Sequence, residues 1–164
     1  MVGWILKVAG RFFVHGITLL GAVALFFDFS PKISVSPYTS IDPLDPFSAP
    51  FIIANDGYMP LNAVSAICLL KDVEFEDLKI ANTEVADIRM DLATQMAPAE
   101  KLTVKFRFRE NLGIATVLKK ADILIIIDYR PWLLPTTGQR QFRFEAAHLL
   151  NDSWEWLPLP VAKN

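Results

Sequence analysis

The sequence predicts a mainly β protein, a β-sandwich carried behind a single N-terminal transmembrane helix. Three observations predict it. Residues 12–27 (FFVHGITLLGAVALFF) form one uncharged apolar run. The rest of the chain repeatedly alternates apolar with polar residues, the period of a half-buried strand. Clusters of proline, glycine and asparagine punctuate it at roughly ten- to fifteen-residue intervals, as turns between short strands do. A chain of 164 residues has room for one domain plus a short extra segment.

The organisation expected is a signal anchor over 1–30, a proline-rich stalk and edge strand over 31–50, and the remainder of the β domain over 51–164. The uncharged run makes about 24 Å of helix, slightly short of a roughly 30 Å hydrocarbon core. Lys7 and Arg11 can snorkel toward headgroups, which lets Trp4, Ile5 and Leu6 contribute, and Pro31 then ends the helix. Because Lys7 and Arg11 precede the run and Asp28 follows it, the positive-inside rule places the N-terminus in the cytoplasm and the domain outside, periplasmic or extracellular. A cleaved signal peptide is the rival reading, since Ala22-Val23-Ala24 resembles a cleavage site. Against it, Leu25, Phe26 and Phe27 continue the apolar run. A buried helix of a soluble protein is the third. His15 lies inside the run without the companions a proton relay needs.

All 18 acidic residues lie from Asp28 onward, against 14 basic residues, a net charge of −4 over that part of the chain. A mildly acidic domain has no general attraction for phosphate backbones, so nucleic acid is not an expected partner. The one cysteine, Cys68, cannot staple its own domain, and a lone thiol reads as a small buried hydrophobe.

Along the domain, Ile33 and Val35 suggest a short edge strand, and Pro37, Pro43, Pro46 and Pro50 forbid a central one there. Phe51 to Ala54 reads as a short buried strand closed by the turn Asn55-Asp56-Gly57. Val64, Ala66, Cys68 and Leu70 alternate with Ser65, Ile67, Leu69 and Lys71. Residues 61–71 also fit a helical period, and we read them as a strand because their neighbours are strands. Glu74 to Leu78 reads as a loop or irregular edge, and Ile88, Met90 and Leu92 as a half-buried strand. Met96 to Glu100 makes a turn. In Lys101 to Arg109, Leu102, Val104, Phe106 and Phe108 point one way and the polar residues Lys101, Thr103, Lys105, Arg107 and Arg109 the other. Asp122 to Tyr129 (DILIIIDY) is apolar on both faces, which suits a central strand. Phe142, Phe144, Ala146 and His148 share one face of the next strand. Trp154 and Trp156 share a face in the tail, where Pro158 and Pro160 end regular structure.

The order of these segments resembles a membrane-anchored immunoglobulin-like or fibronectin type III-like sandwich, with Phe51 to Val64 (FIIANDGYMPLNAV) as the phrase that joins the second and third strands. The resemblance spans roughly Pro31 to Pro158. The cysteine pair and core tryptophan of antibody-type domains are absent from the pattern, so it implies a fold and carries no functional residues across.

No chemistry-bearing constellation emerges. His15 and His148 are far apart in sequence and lack the companions of a zinc site. No serine stands in a G-x-S-x-G turn and no glycine-rich phosphate loop occurs. The carboxylates Asp42 and Asp45, and Glu74, Glu76 and Asp77, match no calcium spacing. Asn151-Asp152-Ser153 fits a glycosylation sequon, a match near chance in this length. No enzyme activity, metal or cofactor is expected. The surface feature that stands out is aromatic: Trp132, Trp154, Trp156 and Tyr58 are the candidate interaction surface, with capping of the core as their other reading. The function expected is a noncatalytic, membrane-anchored interaction or structural module, such as an accessory subunit of a membrane complex. Its partners would be the membrane and other membrane or envelope proteins. The alternative is an envelope domain that binds a small ligand or glycan.

Overall fold

A computed structural model describes residues 30–40, 42, 44–107, 117–133, 135–149 and 153–161, with side chains of 82–88 excluded. Residues 1–29 of the anchor expected over 1–30 and the inward face of Phe108 lie outside the described residues, as does the sequon asparagine Asn151. Among the described residues no helix is long and apolar enough to cross a membrane.

The described chain is mainly β. Its strands are β1 (Ile33–Pro37), β2 (Phe51–Asn55), β3 (Leu61–Phe75), β4 (Lys79–Met96), β5 (Lys101–Val104), β6 (Leu118–Pro131), β7 (Gly138–His148) and β8 (Trp154–Leu159). They form a three-stranded sheet in the order β1-β2-β5 and a five-stranded sheet in the order β4-β3-β6-β7-β8. All pairings are antiparallel.

Strand positions follow from residue chemistry. β6 is the middle strand of five and is apolar on both faces, as expected of DILIIIDY. Residues 61–71 are strand, within the longer β3. β1, behind Pro31 and ending at Pro37, is an edge strand. The ladder of β5 stops at Val104, yet the alternation continues: Val104 and Phe106 are buried while Lys101, Thr103, Lys105 and Arg107 are exposed. Two expectations differ from the structure. Pro158 does not end regular structure; it pairs with Phe144 inside β8, an edge strand whose free side needs no amide donor. The proline-rich segment is not a free stalk. Tyr38 N–H donates to Pro50 O at 2.8 Å, and Pro46, Phe47, Ser48 and Ala49 form a buried turn against the sheets. Proline excludes a strand there, but its apolar ring packs readily.

The two sheets share one hydrophobic core. At its centre Phe51 of β2 meets Phe144 of β7 at 5.2 Å between ring centroids, and Phe106 and Trp156 at 6.0 Å each. Ile53, Val104, Cys68, Leu70, Ile123 and Ile125 continue it from both sheets. Burial pushes the Cys68 thiol well above its ordinary pKa, so it stays protonated and inert.

The turn joining β4 to β5 carries a strained residue. Ala99 has φ 61°, the left-handed region that costs a residue with a Cβ about 1 kcal/mol. Its amide donates to Asn55 O at 2.8 Å, which holds it there. Ala99→Gly is expected to stabilise the protein by about 0.5–1 kcal/mol, read as a higher denaturant midpoint with unchanged slope.

Candidate interaction surface

The candidate aromatic residues divide between two ends of the fold. Tyr58 follows β2 in the turn to β3, and Trp132 follows β6 in the loop to β7. Leu61 pairs with Pro131, so both loops lie at one end. Trp132 N–H donates to Pro60 O at 3.2 Å, which ties the two loops together. Their side chains are 68% and 60% exposed, and Leu133 beside Trp132 is 62% exposed.

Asn55 shapes this end. Its side-chain amide is fully buried and donates to Met59 O at 2.9 Å, Ala97 O at 3.1 Å and Met96 O at 3.3 Å. Its Oδ1 accepts from Gly57 N–H at 3.1 Å. One side chain thus fixes the turn that presents Tyr58 and pins it to the β4–β5 turn. A side chain at Gly57 would be crowded here, because a Cβ would sit 3.0 Å from Lys32 N and 3.4 Å from Ser30 O. The described chain therefore begins against this turn, and Asp56 N–H donates to Lys32 O at 2.8 Å. On the neighbouring loop the Tyr129 ring covers Gly138, where a Cβ would lie 2.5 Å from its Cζ.

Trp154 and Trp156 lie elsewhere, on β8, paired with His148 and Ala146. Trp156 is not a surface residue: it is 3% exposed, its indole N–H donates to Pro46 O at 2.8 Å, and Phe47 meets it edge-on at 5.7 Å. Both of its demands, apolar cover and a hydrogen-bond acceptor, are met inside. Trp154 is half-buried, stacked edge-on with His148 at 4.9 Å. With Pro37, Tyr38, Thr39 and Leu149 it lines a cleft of about 290 Å³ between β1 and β8.

A feature that sequence reasoning missed is the outward face of the five-stranded sheet. The register aligns Ile67 with Ile126 and Leu69 with Leu124, on the side opposite the core residues Cys68, Ile125 and Ile127; Leu124 is itself buried and the other three are half-buried. Each pair is an apolar couple on a face that antiparallel sheets usually leave polar. The signal was present in ILIII, but which residues would align across strands depends on a register that turns and bulges set.

Around this stripe several charges are paired. Arg143 Nε donates to both Asp122 oxygens at 3.0 and 3.1 Å, and Nη2 adds a second contact. Asp122 is buried and Arg143 half-exposed, and the carboxylate raises the guanidinium pKa. Lys120 Nζ donates to Asp72 Oδ2 at 2.8 Å, and Lys79 lies 3.7 Å from Glu74. These residues border a groove of about 600 Å³. Lys79, Lys120 and Arg143 each answer a carboxylate, and Lys71 lines the groove beside them.

The Lys120 hydrogen bond, then its charge, holds the Asp72 carboxyl below its ordinary value of 3.8. A depressed folded pKa contributes stability that is present above the unfolded value and lost as pH falls through the folded one. Asp72→Asn is therefore expected to be less stable than the parent near pH 6. Chemical denaturation at several pH values should show the two converge below pH 3.8. A constant gap down to low pH would mean the pair does not couple to folding.

Among the described residues no group of three or more His, Cys, Asp or Glu side chains is disposed to hold a metal ion. No protein-family model, curated protein or solved structure matches the chain.

Proposed function

We propose that this chain is a noncatalytic interaction module, an accessory subunit of a membrane complex. A helix over residues 12–27 anchors it, and its two sheets form an immunoglobulin-like sandwich on the outer side of the membrane. The sheet orders support the sandwich. Naming the strands A to G in chain order, β1-β2-β5 corresponds to A-B-E and β4-β3-β6-β7 to C′-C-F-G, with β8 added beside G. That is the division of strands in immunoglobulin-type sandwiches that carry no D strand. The chain crosses between sheets from β2 to β3, from β4 to β5 and from β5 to β6, as Greek-key connections do.

The observation that carries the interaction reading is the outward stripe of Ile67, Leu69, Leu124 and Ile126. An apolar centre with a polar, charged rim is the anatomy of a protein–protein contact. Its occupant is another protein on the outer side of the membrane.

Detergent extraction of the full-length protein from native membranes, followed by affinity capture and mass spectrometry, tests it. The parent should recover a reproducible set of integral-membrane partners. Ile126→Arg should lose that set, with an unchanged unfolding midpoint showing that the fold survives. Identical partners for parent and variant would remove the stripe from the interface.

The aromatic cleft of about 290 Å³ beside Tyr38 and Trp154 supports a second reading. Small-ligand sites are concave and lined by aromatic residues with a few polar groups, and this cleft supplies Thr39, Ser40 and Glu155. Recovery of the parent alone, still embedded, would favour that reading.

A further inference from the structure

Tyr58, Trp132 and Leu133 need an explanation apart from the stripe, because they are the exposed rings and leucine of the end where the chain arrives. We propose that this end rests on the lipid surface: Tyr58, Trp132 and Leu133 sit in the interfacial layer of the bilayer that holds the anchor, and so fix the tilt of the body above the membrane. The proposal rests on the anchor reading of residues 12–27.

Chain length makes the case. The uncharged run ends at Phe27, and three more residues reach Ser30, a span of at most about 11 Å even fully extended. Ser30 O would lie 3.4 Å from a Cβ on Gly57, and Tyr58 is the next residue. No linker intervenes, since Lys32 is already hydrogen-bonded to the Asp56 amide and β1 starts at Ile33. The headgroup layer is about 5–7 Å deep on each side of the hydrocarbon. A body attached this closely keeps the β2–β3 turn at that layer, and the Trp132 amide bonded to Pro60 O brings the second loop with it.

The side chains suit that layer. Tyrosine and tryptophan carry an apolar body and a polar handle, which is why they gather where membrane meets water. Exposed Lys32 and Arg130 flank them and are placed to meet lipid phosphates, with exposed Asp56 beside Lys32. The Asn55 hydrogen bonds hold the Tyr58 turn in shape before any lipid arrives, so contact costs little ordering.

The test places one environment-sensitive fluorophore on the full-length chain at Leu133→Cys or Val117→Cys. The protein is reconstituted into phosphatidylcholine–phosphatidylglycerol vesicles that contain lipids spin-labelled near the headgroup. Leu133 and Val117 are each 62% exposed, and Val117 lies at the opposite end, where Glu76 N–H donates to its carbonyl. Cys68 is buried and stays unlabelled. The expected result is a blue-shifted emission at 133 with several-fold stronger quenching than at 117. Equal, water-like emission at both positions, in protein that still floats with the vesicles, would overturn the proposal and leave the anchor standing. A blue shift at 133 without lipid quenching would also overturn it, in favour of a protein contact. A chain that does not float would overturn both.

Discussion

Asn55→Leu is expected to destabilise the protein by about 4 kcal/mol, among the largest effects a single substitution away from the sheets' centre can have. Leucine has the same number of side-chain heavy atoms but is bulkier, so some overpacking adds to the loss. What is lost is polar: the Gly57 amide and the Met59 carbonyl would lose the partner that Asn55 supplies inside the fold. Each buried polar group left unmade costs about 1–3 kcal/mol. Asn55→Asp should be no better, because a carboxylate keeps the acceptor for Gly57 but faces three carbonyls it cannot donate to. Asp56→Ala, next door and exposed, should fall within about 0.5 kcal/mol of the parent. Denaturant unfolding of the full chain in detergent measures all three. An Asn55→Leu protein of parental stability would mean that the buried amide does not organise this end.

Trp156→Ala is the second large effect, at about 4 kcal/mol and a fall in Tm of roughly 15 °C. The indole leaves a cavity among Phe47, Phe51 and the edge of β7, and Pro46 O loses one of its two donors, keeping the Ala49 amide. Trp156→Phe should recover most of the packing and lose only the hydrogen bond, about 1 kcal/mol. Trp132→Ala, by contrast, should shift stability by less than about 0.5 kcal/mol, because its ring is already in solvent. The two tryptophans look alike in sequence, and thermal melts of the two variants separate a core residue from a surface one. Equal effects would contradict the division between them.

Much of the fold could be read from local pattern, and the limits are instructive. The strict alternation of Leu102, Val104 and Phe106 with charged residues and the doubly apolar β6 were both legible, because a strand's two faces are written in consecutive residues. Asn55-Asp56-Gly57 announced a turn, yet nothing in it announced that the Asn55 side chain would reach Met96 and Ala97, about forty residues away. Proline chemistry excluded a strand between Pro37 and Pro50 correctly, but reading a stalk from it went too far, since Pro46 and Phe47 pack into the core. Trp154 and Trp156 were rightly placed on one face, while the depth of Trp156 depended on Pro46 offering a carbonyl from 110 residues away. The outward stripe is the clearest case. Ile67 and Ile126 face one another only through the β3–β6 register, and cross-strand alignment is a property of the pair that neither strand carries alone.

In the proposed arrangement an anchor over residues 12–27 would turn the Tyr58 and Trp132 end toward the bilayer and leave the stripe of Ile67, Leu69, Leu124 and Ile126 to a neighbour. Alkaline carbonate extraction of native membranes carrying the full-length chain, followed by immunodetection, tests that anchor most directly. The protein is expected in the membrane pellet with the body intact, because an uncharged run of sixteen residues (12–27) is removed from lipid only by detergent. Quantitative release into the supernatant would contradict a membrane-spanning segment, and with it the placement of both surfaces.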